Sequence, residues 1–335
     1  MSYRTFERQS AHYFDRPHVG SPGQPVGGAA AWTAQMLDQD PSWIVHLSEH
    51  EVDDIERALD YVAALGMAPS ELSRGDVPLG AFGVRVRSWH DELQHGRGLV
   101  LVRGFPVHRW SNERTELATW CLGLHLGRPG AQNPRGDLLG HVREIRDGSL
   151  NSAARLYQTN AEIRFHCDYA DVVGLMCVRQ APDGGESRLA SSTAIHDELW
   201  RCAPSSAERL YQPVWLDTRD EGADPALPVQ PFAYDGRQVR TFYHSDYFRS
   251  AARHGGVYQP SVDLIAALDA FDNLAESERF CARMRLAEGD LQLVSNHSVV
   301  HARTTFIDDP LAPRHLLRLW LSLDHRSQGT GASST

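Results

Sequence analysis

The stretch Phe165-His-Cys-Asp-Tyr-Ala-Asp-Val-Val-Gly-Leu-Met-Cys-Val178 carries two signals at once. Its second half, Val172–Val178, is a short apolar run of the kind that forms a buried strand. Its first half sets His166 and Asp168 two residues apart. In extended backbone successive side chains point to opposite faces, so these two share a face and Cys167 faces away. That is the disposition a shared metal ion needs. A third ligand has to come from far along the chain, and the candidate is His301 in Ser298-Val-Val-His-Ala-Arg303. The pattern H-x-D alone is weak in a chain with 17 His, and His244-Ser-Asp246 repeats it.

Outward from this stretch the chain divides into a helical part and a strand-rich part. Ser48-Glu-His-Glu opens a helix with a capping residue and an acidic first turn; Ile55, Leu59, Val62 and Leu65 follow at helical spacing. A second helix is expected over 86–95, a strand within Gly98–Phe105, and a helix capped by Ser111 that runs to about Leu124. Beyond Asn160 short strand-like runs dominate: 172–178, 187–190, 239–242, 282–286, 291–295 and 316–323, interrupted by helices near 193–202 and 261–274. Helices followed by many short strands indicate an α+β fold, a helical layer on a β-sandwich or barrel. The domain reading is an N-terminal arm over 1–30, one domain over 31–326 and a disordered tail over 327–335. The Gly/Pro-rich first residues read as irregular. Loops near 129–160 and 213–231 read as lids over a site.

Composition narrows the function. The formal net charge is −10 and no basic run is present, which argues against nucleic acid or an anionic membrane as partner. Five scattered cysteines, none in a C-x-x-C pair, argue against a disulfide framework and for a reducing compartment. With no leader or long apolar stretch legible, a cytoplasmic protein acting on a small-molecule substrate is expected, its oligomeric state unknown.

The last strand-like run adds an anion signal. Read as extended, Arg314, Leu316, Arg318 and Trp320 share one face and Leu317, Leu319 and Leu321 the other. Two arginines on a half-buried surface are costly unless each meets an anion, and a guanidinium suits a carboxylate. A protein carboxylate or an escape to solvent would serve Arg314 as well as a ligand. Two His and one carboxylate with open positions are associated with non-haem Fe(II) oxygenases. Together, Thr159-Asn-Ala-Glu-Ile-Arg-Phe-His-Cys-Asp168, Gly184-Gly-Glu-Ser187, Ser191-Ser-Thr193, His301-Ala-Arg-Thr-Thr-Phe306 and Arg314-His-Leu-Leu-Arg318 resemble the taurine dioxygenase, clavaminate synthase-like branch of Fe(II)/2-oxoglutarate dioxygenases.

The resemblance implies a double-stranded β-helix, the cupin-like jelly roll, with helices packed on the outer face of the major sheet. It implies His166, Asp168 and His301 as catalytic Fe(II) ligands, Arg314 as the partner of the distal carboxylate of 2-oxoglutarate, and Thr193 as the hydroxyl beside it. Arg318 matches a position facing the substrate or the other end of the co-substrate. The cofactors implied are Fe(II), 2-oxoglutarate and O2. The reaction implied is oxidation of a substrate C–H bond, by hydroxylation or by desaturation, epoxidation or cyclisation, with release of succinate and CO2. Relatives that halogenate replace the carboxylate, so Asp168 argues against halogenation. The competing readings are a non-catalytic jelly-roll binding protein and a metalloenzyme that does not use 2-oxoglutarate. Asn160 and Asn296 are candidate substrate contacts or turn caps. Tyr157, Gln158, Arg143 and Arg146 are candidate loop contacts, while His297 and the tryptophans are assigned no role.

Overall fold

The computed structural model describes residues 3–144, 159–219 and 224–323. Two sheets dominate it. Seven strands form the larger, in the order 44–46, 99–103, 291–295, 172–179, 315–322 and 128–130, with 139–142 also pairing to 315–322. All its pairings are antiparallel except that between 44–46 and 99–103. Four strands form the smaller sheet, in the order 281–284, 187–191, 299–303 and 163–166.

Alternation along the strands sorts side chains into three cores. Leu317, Leu319 and Leu321 project outward onto helices 49–65, 80–95 and 112–126, together with Val172, Met176, Leu291 and Leu293. Trp320, Val173, Val294 and Leu99 project the other way and meet Leu189 and Val299 of the smaller sheet, so the two sheets pack face to face. The outer side of the smaller sheet, through Phe165, Ala190, Val300 and Ala302, packs on helices 192–202 and 262–276. Helices therefore cover both sheets, where the resemblance implied helices on the outer face of the major sheet. Each buried Leu, Val or Phe side chain contributes roughly 1.5–3 kcal/mol, which is why these faces and not the polar ones set the layers.

Local rules hold at the starts capped by Ser48 and Ser111, while the helix expected over 86–95 begins earlier, at Gly80, with no side-chain cap. The Ser48 hydroxyl accepts from the Glu51 backbone N–H while the Glu51 carboxylate accepts from that of Ser48, and Gly66 ends the helix in the left-handed region. The strand at 291–295 has the expected bounds.

The N-terminal segment is more ordered than its composition suggests. Phe6–Phe14 is a helix capped by Thr5, and it is clamped to the sheets by polar side chains. Tyr13 is fully buried, donates to the carbonyls of Thr241 and Asn296, and stacks on His297 at 4.8 Å. Gln9 donates to the Tyr169 carbonyl and accepts from Ser322 Oγ. His12 meets Asp171 at 2.8 Å. A side chain at Gly130 would collide with Gln9, so a glycine there is what lets the helix seat. The 213–231 segment likewise contains an antiparallel hairpin, Val214–Asp217 with Ala226–Val229. The expected tail over 327–335 and residues 145–158 of the first expected lid fall outside the described residues.

Candidate active site

The smaller sheet builds the metal constellation. His166 ends the strand Ile163–His166 and stands opposite His301 in the antiparallel register of Val299–Arg303. Their rings are 4.2 Å apart between centroids. Asp168 follows two residues later, and the three ligand atoms lie within 4.8 Å of one another.

The donor chemistry fits a metal ion. His166 Nδ1 bonds the Arg164 carbonyl at 2.9 Å, which fixes that nitrogen as donor and leaves Nε2 as a lone pair. Burial and the neighbouring His301 push the His166 pKa down to about 4, so the imidazole is neutral near pH 7. Asp168 Oδ2 is buried with no hydrogen-bond partner, an orphaned acceptor 3.6 Å from His301 Nε2. Burial opposes the Asp168 charge, but Arg318 first and then His301 outweigh it and hold the carboxyl well below the usual range. Arg318 sits at 3.4 Å from Asp168 Oδ1 and donates through Nε to Gln132, which donates back to the Arg318 carbonyl. The neutral His166 imidazole and the ionised Asp168 carboxylate are the states that bind a divalent cation.

Above these ligands opens a cavity of about 400 Å³. Its floor includes His166, Asp168 and Arg318, and its walls include Phe14 of the N-terminal helix, Leu216 of the hairpin and Trp320. Trp320, read as ordinary core, is thus part of the wall, with the Arg318 guanidinium 5.2 Å from its ring.

Arg314 is not among the residues that line that cavity. It is 3% exposed, donates through Nε to Gln180 at 3.0 Å, and lies over the Phe306 ring. Among the described residues no carboxylate pairs with its side chain, and Nη1 is buried without a partner. Burial pushes its pKa down to about 10. A second buried arginine, Arg303, flanks the same phenylalanine ring and donates to the carbonyls of Thr159 and Ala161. The nearby buried carboxylate, Asp308, accepts from the Arg314 backbone N–H and forms no ion pair with its guanidinium among the described residues, which leaves the two cations around one ring able to take an external carboxylate.

Thr193 is not the hydroxyl beside Arg314. In the smaller sheet Arg303 pairs with Ser187 and Val299 with Ser191, and Thr193 lies beyond Ser191 in the next helix. At about 3.3 Å per residue that puts it more than roughly 13 Å along the strand from Ser187. It lines a separate cavity with Gly27, His297 and Ser298. Arg314 instead abuts the Gly184-Gly185 turn, where a Cβ on Gly185 would stand 3.1 Å from Arg314 Nε. One hydroxyl at that end of the strand is Ser187, buried and on the same face as Leu189 between the sheets. The Gly-Gly turn before it was the usable signal.

The remaining candidates separate as well. Asn296 is buried and spends its side chain on the backbone after His166: Oδ1 accepts from the Asp168 N–H at 3.1 Å, and Nδ2 donates to the Ala170 carbonyl at 2.8 Å. It holds the Asp168 loop rather than facing a substrate. Asn160 is exposed and away from the cavity lining, its carbonyl accepting from the Phe306 N–H. Arg143 is exposed, and Tyr157, Gln158 and Arg146 fall outside the described residues. His297 bonds Asp171 at 2.7 Å and is not a ligand.

His244 of the repeated H-x-D does reach the cavity: it bridges to the His166 strand, its ring 5.2 Å from that of His166. Asp246 turns instead toward Arg164. Three-dimensional pairing brings in His244, and no local motif could have done so.

Residues 68–320 match the family described as "Taurine catabolism dioxygenase TauD, TfdA family". The chain is 33% identical to "FR-33289 synthase" of Streptomyces rubellomurinus over 93% of this chain and 94% of that protein. In fold it resembles an asparagine oxygenase in complex with Fe(II), 2S,3S-3-hydroxyasparagine and succinate, with a TM-score of 0.67 at 17% identity over 83% of this chain and 93% of that one. It also resembles the non-haem iron oxygenase OrfP in complex with Fe and alpha-ketoglutaric acid, with a TM-score of 0.60 at 15% identity over 84% and 94%. The chain belongs to the TauD/TfdA dioxygenase family and is an Fe(II)- and 2-oxoglutarate-dependent oxygenase.

Proposed function

We propose that the enzyme oxidises a C–H bond of a small, amino-acid-derived substrate held in the cavity over His166, Asp168 and His301. In this reading those three residues hold Fe(II), and the two facing sheets constitute the double-stranded β-helix that the resemblance implies. The carrying observation is the cross-strand pair His166–His301, with the orphaned Asp168 Oδ2 between it and a cavity large enough for a small molecule. Bound Fe(II) would supply O2 activation coupled to oxidative decarboxylation of 2-oxoglutarate to succinate and CO2.

The chain's own groups do the positioning. Arg314, with Ser187 in place of Thr193, would bind the distal carboxylate of 2-oxoglutarate. The Arg164 carbonyl orients His166, Arg318 keeps Asp168 ionised, and Asn296 holds the loop that carries it. Phe14, Leu216 and Trp320 exclude water from the reacting bond. The amino-acid derivatives named for the structurally similar asparagine oxygenase and OrfP support the substrate class. Four buried, unpaired cysteines support a reducing, cytoplasmic setting, and no described helix is long and apolar enough to cross a membrane.

The test is aerobic incubation of the Fe(II) enzyme with 2-oxoglutarate and a panel of free and derivatised amino acids. Succinate should form in step with a product that has gained one oxygen atom or lost two hydrogens. Product formed without consumption of 2-oxoglutarate would overturn the reading, as would succinate formation that no member of the panel stimulates.

A further inference from the structure

Two arginines line the cavity, and their surroundings differ. Arg318 is held by Asp168 and Gln132. Arg219 projects from the end of the hairpin strand Val214–Asp217, its guanidinium 4.9 Å over the Tyr247 ring. Tyr247 in turn stacks on His244 at 3.7 Å with an interplanar angle of 15°, and His244 neighbours His166. Arg219, Tyr247 and His244 thus form a column from the cavity rim to a metal ligand.

Among the described residues the charge of Arg219, a 42% exposed side chain, is met only loosely. Its one carboxylate neighbour among the described residues is Asp217, at 4.0 Å from Nε. Asp217 is fully buried and already committed: it accepts from Arg253 at 2.9 and 3.1 Å, from Ser250 Oγ at 2.8 Å and from the Arg219 backbone N–H at 2.9 Å. Arg219 also holds φ at 54°, the one positive value outside glycine among the described residues. Such conformations persist where the surroundings demand them, and ligand clamps are one such place. The neighbouring walls, Phe6, Phe14, Leu216, Leu227 and Trp320, are apolar and offer no competing charge.

We propose that Arg219 binds an oxyanion of the substrate, carboxylate or phosphate, at the cavity rim, with Tyr247 and His244 as the aromatic wall along which the rest of the substrate lies toward the metal. The proposal rests on the oxygenase reading and refines it. The co-substrate and substrate anions have separate arginines, Arg314 away from the cavity lining and Arg219 at its rim, while Arg318 serves Asp168. Arg219 is then a specificity-determining residue.

The test uses enzyme loaded with Co(II) in place of Fe(II) and saturated with 2-oxoglutarate, so that two of the metal's three open positions are taken and the Arg219 variants report on binding outside the remaining one. Inorganic phosphate and acetate are titrated in, and paramagnetic relaxation of their phosphorus and carbon NMR signals is followed. A saturable effect is expected for at least one ion. Arg219→Ala should weaken it at least about tenfold, the loss of one charge-assisted contact, with Arg219→Lys between the two. Binding of 2-oxoglutarate and the thermal midpoint should stay at wild-type values. Phosphate alone responding identifies a phosphate-bearing substrate, and acetate alone a carboxylate. No saturable effect from either ion overturns the proposal, and so does an Arg219→Ala response equal to wild type. Failure of the wild type to take up Co(II), seen in its visible absorption, would instead overturn the metal-site reading beneath it.

Discussion

Replacing Arg314 by leucine removes a cation that the protein buries without a carboxylate partner among the described residues. Two effects of opposite sign follow. A bidentate pair between this guanidinium and the distal carboxylate of 2-oxoglutarate has two charge-assisted hydrogen bonds, each contributing about 1.5–3 kcal/mol. Their loss weakens co-substrate binding by about two to four orders of magnitude. In the ligand-free protein the same cation is a liability. Burial lowers its pKa from the usual guanidinium value to about 10, a penalty on the order of 3 kcal/mol that applies while it is charged, at every pH below about 10. Leucine loses the bond to Gln180, worth about 1 kcal/mol, and escapes that penalty. The ligand-free variant should therefore melt at or above the wild-type temperature while its anaerobic 2-oxoglutarate titration shows at least about a hundredfold weaker binding. Binding within about threefold of wild type would refute the assignment of Arg314, and a lowered melting temperature alongside weaker binding would make it a structural residue.

Other perturbations test other parts of the site. Asn296→Ala strands the Asp168 N–H and the Ala170 carbonyl in the interior, which should destabilise the fold by about 2–4 kcal/mol and weaken metal affinity about 10–100-fold, measured by melting and by metal titration. Intact stability with a changed substrate KM would restore it as a substrate contact. Asp168→Ala should abolish metal-dependent turnover, whereas Asp246→Ala, which removes only an ion pair with the half-exposed Arg164, should keep it; equal loss in both would mean that Asp246 shares the metal site. The Asp171 carboxyl, despite burial, is held below the usual range by His12 and His297. A depressed carboxylate stabilises the fold above its unfolded pKa near 4, and the stability disappears as pH falls toward the folded value. Asp171→Asn should thus flatten the acid limb of a stability–pH profile, and an unchanged limb would show the clamp on the N-terminal helix to be inert.

Much of this was legible because the chemistry is local. His166 and Asp168 share a face by simple alternation, and the helix at 49–65 announces itself through Ser48 and Glu51. The run 315–322 divides its leucines from Arg318 and Trp320 in the expected way. What stayed hidden depends on register. Thr193 stands at a plausible distance along the chain, yet the register that pairs Arg303 with Ser187 and Val299 with Ser191 carries it beyond the strand and into the next helix. His244 reaches the site through one isolated bridge to His166, while its partner Asp246 does not. The helix 6–14 was masked by the glycines and prolines after it, and it is held by tertiary partners of Tyr13, Gln9 and His12 that no window of sequence contains.

The central claim is one Fe(II) held by His166, Asp168 and His301 with 2-oxoglutarate chelated to it. The anaerobic difference spectrum on adding Fe(II) and then 2-oxoglutarate tests it most directly. The wild type should develop a visible metal-to-ligand charge-transfer band that saturates at one Fe(II) and one 2-oxoglutarate per chain, and Asp168→Ala and His301→Ala should lose it. A wild type that develops no band, or variants that develop the same band, would contradict the account.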